Sequence, residues 1–334
     1  MTQRILLSAE TGSDIPAELA RELGILLIPM HVSMGDQTLD DGTFPTGDVC
    51  AYYDRTGKAP TTSGSTPYDF EAIYDGIFAE NPDTRILHMA YSAVTTCSYH
   101  SGELALEGKS YANNVRLIDT KQVSVGQGAA VLAVHQWLQA HPEATLDEAA
   151  EAALAISENT RMCFLPKNLD YLRAGGRCSN AVALVGNLLQ LHPCIEIIDG
   201  RLIAGKKYRG SMARQAPVLL REFAAKHNLN RDHIYFINAP YMEEEISTAL
   251  ERKPPPWASG RSPGFPPAVS SPATADPVPS ALWAPAEKPA LRRFDHNLPF
   301  AKHKSTPPSD GVLLPYLGDW KIKKRGEEYH GFCG

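Results

Sequence analysis

Hydrophobic and polar positions alternate between two periods along the first 252 residues. Short apolar runs of strand type fall at 4–8, 25–32, 85–89 and 115–119. Between them lie stretches of helical period at 17–23, 67–78, beyond 98, 126–140 and 146–159. Strands alternating with helices of this length predict crossover units on a parallel sheet. From 161 to 252 the pattern stays mixed but loses its regular alternation. A short helix from Leu169, an interruption at Gly175-Gly176 and a second helix through Ala181 and Leu184 lead to a buried strand at 194–198, closed by an Asp199-Gly200 turn. The expected architecture is an α/β N-terminal domain at 1–157 and a smaller mixed α/β domain at 158–252.

The pattern breaks near residue 252. Eleven prolines lie in 1–252 and fifteen in 253–334, and three of the four tryptophans (257, 283, 320) lie in that last quarter. Such a segment is expected to be a disordered, non-native tail.

Composition narrows the function classes. A formal charge of −6 argues against a nucleic-acid partner, which needs a basic face. No apolar run reaches the roughly 18–20 residues of a membrane span, so the chain is not expected to be an integral membrane protein. The first residues run straight into a strand without a secretory pattern, and six scattered cysteines form no C-x-x-C pair. The expectation is a cytoplasmic protein with free thiols, no metal site and no cofactor.

Loops after the strands of an open α/β sheet lie at its carboxyl edge, where such folds bind ligands. Three loops qualify, at 9–14, 61–66 and 91–98. All are rich in hydroxyls, and none carries a nucleophile with its base, so no catalytic residue is assigned. Thr66 with Pro67 reads as a helix cap, but the run Thr61-Thr62-Ser63-Gly64-Ser65 exceeds what one cap needs. Oriented hydroxyls and helix N-terminal amides suit a carboxylate. Residues 119–128 lack the third glycine of a dinucleotide loop.

Several of these segments, taken in order, resemble the DegV family of bacterial fatty-acid-binding proteins. Its Leu-x-Tyr-Leu-x-x-Gly-Gly-Arg signature is matched by Leu169, Tyr171, Leu172, Gly175, Gly176 and Arg177. The strand, Asp-Gly turn and Lys-x-Arg-Gly that follow in the family are matched by Asp199, Gly200, Lys207, Arg209 and Gly210. The family's opening Asp-Ser-x-x-Asp-Leu-Pro turn corresponds to Glu10-Thr11-Gly12-Ser13-Asp14-Ile15-Pro16.

The resemblance implies a two-domain DegV-like fold with a long-chain fatty acid, such as palmitate, in a buried tunnel between the domains. It places the carboxylate on Thr62 and Ser92, with Ser63 beside Thr62 and Arg209 near the head group. It also implies a non-catalytic subunit that presents the acid to a fatty-acid kinase for phospholipid synthesis. A rival reading is a small-molecule enzyme at the same sheet edge, with Glu10, Asp14 and Asp119 as its titratable groups; a regulatory or purely structural protein is a third.

The resemblance also explains the tail. The family closes with Ala-Gly-Gly-Val-Ile-x-x-His-x-Gly-Pro-Gly-Ala-x-Gly, whose His helps bind the head group. Codons compatible with residues 267–281, read from one nucleotide earlier, spell Ala-Gly-Gly-Val-Ile-Thr-Gly-His-Cys-Gly-Pro-Gly-Ala-Phe-Gly. A frameshift near residues 251–253, in the gene or its sequencing, is the expected cause.

Overall fold

In the computed structural model, residues 5–166, 169, 191–229 and 235–237 are described, together with the backbone of 280–285, 319–324 and 327–332. The signature glycines Gly175 and Gly176, with Arg177 and the two helices expected around them, lie outside the described residues.

Four parallel strands form the first sheet: β1 (Ile5–Glu10), β2 (Ile25–Ile28), β6 (Arg85–Ala90) and β7 (Val115–Asp119), in the order β2-β1-β6-β7. Helices cover both faces, which is why these strands read as apolar runs. On one face, Phe70, Tyr74 and Phe78 of α3 (Pro67–Glu80) and Ala105 of α4 (Ser98–Leu106) pack against Ile28, Ile86 and Val115. On the other, α1 (Ala17–Leu23), α5 (Ser124–Ala140) and α6 (Leu146–Asn159) bury Leu7, Ala9, Leu87, Met89 and Ile118. The cap expected at Thr66 is present as a capping box with Asp69, and Thr145 forms another with Glu148.

One strand expected at 25–32 is two. β2 ends at Ile28, and the chain resumes at β3 (His31–Met34) in a separate antiparallel sheet with β4 (Gln37–Asp40) and β5 (Thr61–Ser63). Pro29 sits at the break, where it has no N–H to give a ladder. The segment 61–66 is therefore only partly a loop, because Thr62 is paired with Val32. A further helix, α2 (Gly47–Thr56), follows β4.

The second half builds its own sheet, in the order β10-β9-β8-β12-β11. Its strands are β8 (Thr160–Leu165), β9 (Leu191–Ile198), β10 (Arg201–Arg209), β11 (Tyr235–Ile237) and β12 (Ser280–Pro285). The pairings are antiparallel, and side chains alternate between its faces. Cys163, Leu165 and Cys194 meet Leu219, Leu220 and Phe223 of α7 (Met212–His227). Met162, Phe164 and Ile195 point the other way and join the cluster that contains α5 and the first sheet. One apolar core thus continues from one half into the other.

Among the described residues, three strands lie within 253–334. β12 is paired between β8 and β11, while β13 (Asp319–Lys324) and β14 (Glu327–Phe332) form a hairpin. Strand pairing uses main-chain groups common to every sequence, so an open edge on β8 recruits an extended segment of almost any composition. Sequencing of the gene through codons 251–253 is expected to show a net gain or loss of one base. An intact frame there would return the tail to the native protein.

Candidate functional site

The order β2-β1-β6-β7 reverses direction between β1 and β6, and ligands of open α/β sheets bind outside the carboxyl ends at such a switch point. Here those ends are Glu10 and Ala90, followed by the loops expected to carry the site.

The loop after β6 is held atom by atom. The Tyr91 amide donates to Glu10 Oε2 (2.9 Å), the Ser92 amide to Gln122 O (2.9 Å) and the Ala93 amide to Asp119 Oδ1 (3.1 Å). Asp119, a candidate acid of the enzyme reading, is thereby a turn residue that also accepts from the Lys121 amide (2.9 Å). Asp14 accepts from the Ser124 hydroxyl, tying the loop after β1 to the start of α5.

Most loop hydroxyls are structural. Thr11 Oγ1 accepts from the Met30 amide (3.0 Å), Ser65 Oγ donates to Pro29 O (2.7 Å), and Thr95 Oγ1 donates to Ser92 O (2.9 Å). Gly64 lets segment 61–66 nest on the start of α4: a Cβ there would meet Ser98 Oγ at 2.6 Å and Ser98 N at 3.1 Å. The Ser65 amide then donates to Ser98 Oγ (3.0 Å).

Thr62 and Ser92 are both buried, whereas Ser63 and Arg209 are exposed. The structure brings the loop after β5 against the loop after β6. It also brings the turn between β9 and β10 to Ser92, whose hydroxyl donates to Gly200 O (2.8 Å). It does not bring Arg209 there. Arg209 ends β10, eight residues beyond the turn at Arg201, which sets it roughly 25 Å along an extended strand.

Beside β5, His31 bridges two carboxyl groups. His31 contacts Asp40 Oδ1 through Nδ1 and Asp69 Oδ2 through Nε2, both at 2.9 Å. Asp69 Oδ2 also accepts from the Thr66 amide and hydroxyl, each at 2.6 Å. Burial pushes the Asp69 carboxyl up, but the Thr66 bonds and His31 outweigh it and hold it below its ordinary 3.8. A depressed carboxyl contributes stability that is full above its unfolded value and is lost as pH falls through the folded one. Asp69→Asn is therefore expected to flatten the acid limb of stability below about pH 4. An acid unfolding curve indistinguishable from wild type would show that Asp69 has no such role.

Sequence reasoning missed a polar cluster under the same edge. Ser8, Glu10, His88 and Gln127 are each 0% exposed. Ser8 Oγ lies 2.9 Å from His88 Nδ1, and His88 Nε2 lies 3.5 Å from Glu10 Oε1. Glu10 Oε2 accepts from Gln127 Nε2 (2.6 Å), which also donates to Met89 O (2.8 Å). Burial pushes the Tyr74 hydroxyl, 3.4 Å from Ser8, well above its ordinary value, so it stays protonated. The available signal was a histidine inside the apolar strand RILHMA, in register with a serine.

Ser8, His88 and Glu10 follow the order of a hydrolytic triad. A nucleophile must reach its substrate, however, and Ser8 lies mid-strand under α3, with the Phe70 ring packed edge-on to His88 at 5.1 Å. The cluster braces the sheet edge and presents no nucleophile to solvent.

A parallel α/β half joined to an antiparallel half, with hydroxyl-bearing loops at the switch point of the first sheet, defines a two-domain α/β architecture. The model of the DegV family, described as uncharacterised proteins, matches residues 4–253, and the chain belongs to that family. A DegV domain-containing protein of Mycobacterium tuberculosis is 28% identical over 205 residues, 61% of this chain and 70% of that protein.

Among solved structures, a DegV protein of Thermus thermophilus described as fatty-acid-binding superposes with a TM-score of 0.70 at 24% identity, covering 85% of this chain and all of that one. The Streptococcus pneumoniae fatty acid kinase B3 protein, loaded with linoleic acid, gives 0.66 at 16% identity over 85% of this chain and all of its own. These likenesses establish the two-domain fold. No helix among the described residues is long and apolar enough to cross a membrane.

Proposed function

We propose that this protein is a cytoplasmic carrier of a long-chain fatty acid such as palmitate, held with its carboxylate at the switch point between β1 and β6. Thr62 and Ser92 are the carboxylate donors in this reading, and the acyl chain runs between the two halves. The observation that carries it is two buried hydroxyls in a DegV-family chain, Thr62 on β5 and Ser92 on the loop after β6, with the segment that follows β5 packed on the start of α4. A carboxylate accepts hydrogen bonds only, and hydroxyl donors in a low-dielectric setting match it. The fatty-acid-binding and linoleate-loaded relatives support the ligand class.

The pneumococcal relative's place in a fatty acid kinase supports a kinase partner that performs the chemistry. The carrier would present the acid and catalyse nothing alone. Arg209, exposed at the far end of β10, is left out of the immediate carboxylate set. The test is solvent extraction of the purified protein followed by mass spectrometry of the lipids, with a bound long-chain acid as the expected result. Repeated extraction without an acyl ligand, together with no saturable uptake of added hexadecanoate, overturns the proposal.

A further inference from the structure

Ser92 lies 108 residues from its hydrogen-bond acceptor, Gly200 O. The acceptor belongs to a tight turn. Asp199 and Gly200 both take left-handed backbone angles, with φ of 47° and 77°, as a two-residue turn between antiparallel strands requires. The turn fits against Ser92, Val94 and Lys121. A Cβ on Gly200 would collide with Ser92 Oγ and approach Val94 Cγ2 to 2.9 Å. Glycine is therefore required twice, by its φ and by the space. On the other side, the loop that carries Ser92 is held by Glu10, Gln122 and Asp119. The hydroxyl faces the turn from a braced backbone.

A serine hydroxyl has one proton to donate. In this structure Gly200 O receives it. A carboxylate carries no proton at neutral pH and can engage Ser92 only by accepting that same proton. From this competition we infer that the Asp199-Gly200 turn is the second half's share of the head-group site. Gly200 O stands where a carboxylate oxygen would accept from Ser92, so that filling the site releases the turn. This rests on the fatty-acid reading and deepens it. Occupancy by a carboxylate is converted into looser docking of the β9–β10 hairpin on the first half. A ligand lacking an acceptor at its head would leave the turn in place.

Hydrogen exchange read by mass spectrometry on the full chain, stripped of bound lipid beforehand, tests this, with peptides across 199–202 as reporter and β6 peptides as internal reference. Ser92→Ala without any additive is expected to speed exchange at the turn by about fivefold, the scale of one net hydrogen bond. Gly200→Ala, which attacks the contact from its other side, should speed it at least as much, and serves if Ser92→Ala does not fold. Saturating hexadecanoate, with binding followed by calorimetry, should speed the turn in the wild type and add nothing in Ser92→Ala.

Unchanged turn exchange in the folded variants overturns the tie itself. Hexadecanoate binding that leaves the wild-type turn unchanged or slows it overturns the linkage. A wild type that binds no hexadecanoate, while Ser92→Ala still frees the turn, overturns the fatty-acid reading and the linkage with it, leaving a plain domain contact.

Discussion

Glu10→Ala is expected to destabilise the fold by about 2–6 kcal/mol, the cost of leaving two buried hydrogen-bond donors unsatisfied. Glu10 is fully buried and accepts from the Tyr91 amide and from Gln127, with His88 beside it. Truncation orphans two donors and leaves the imidazole facing a void, and each unsatisfied buried group costs about 1–3 kcal/mol. Glu10→Gln keeps one carbonyl oxygen and should cost about 1–3 kcal/mol by the same accounting. Equilibrium urea unfolding measures both. A loss below about 1 kcal/mol for Glu10→Ala would mean that the carboxylate is not the acceptor of those bonds. Because the Tyr91 amide leads directly into Ser92, the variant should also loosen the loop that carries the proposed ligand donor.

Thr62→Ala and Ser92→Ala are each expected to weaken fatty-acid binding by about 1–3 kcal/mol, roughly five- to 150-fold in affinity, the scale of a lost bond to a charged group. The Ser92 hydroxyl already donates to Gly200 O, so its removal forfeits only the difference between two acceptors. Ser92→Ala is expected at the lower end of that range. Arg209→Ala should change affinity little, since β10 carries it away from the turn that meets Ser92. Calorimetry with hexadecanoate decides this. Binding abolished by Arg209→Ala and untouched by Thr62→Ala would move the head group to the other end of that strand.

Much of the fold was readable because the rules involved are local. A helical period, the Thr66-Pro67 cap and the Asp199-Gly200 turn each depend on a few neighbouring residues, and each is found as expected. The strand expected at 25–32 failed for a reason beyond that range. Ile25–Ile28 and His31–Met34 are only two residues apart, but they pair with different partners in different sheets. Likewise the hydroxyl-rich run at 61–63 reads as a loop until β3 supplies a strand for it to pair with.

The sequence by itself determined the family, the parallel α/β half, the mixed second half and the carboxyl-edge loops, because these follow from periodicity and short motifs. Only the tertiary structure decided which hydroxyls are already spent on the fold and which face a neighbouring turn. It alone joined Ser8, Glu10, His88 and Gln127 into one buried cluster, and it alone separated Arg209 from Ser92. The physical reason is strand order. Placing β6 beside β1 brings Glu10 to Tyr91 across 81 positions, and docking the second half brings Gly200 to Ser92 across 108. A hydrogen bond depends on ångström distances that no spacing in a linear chain encodes.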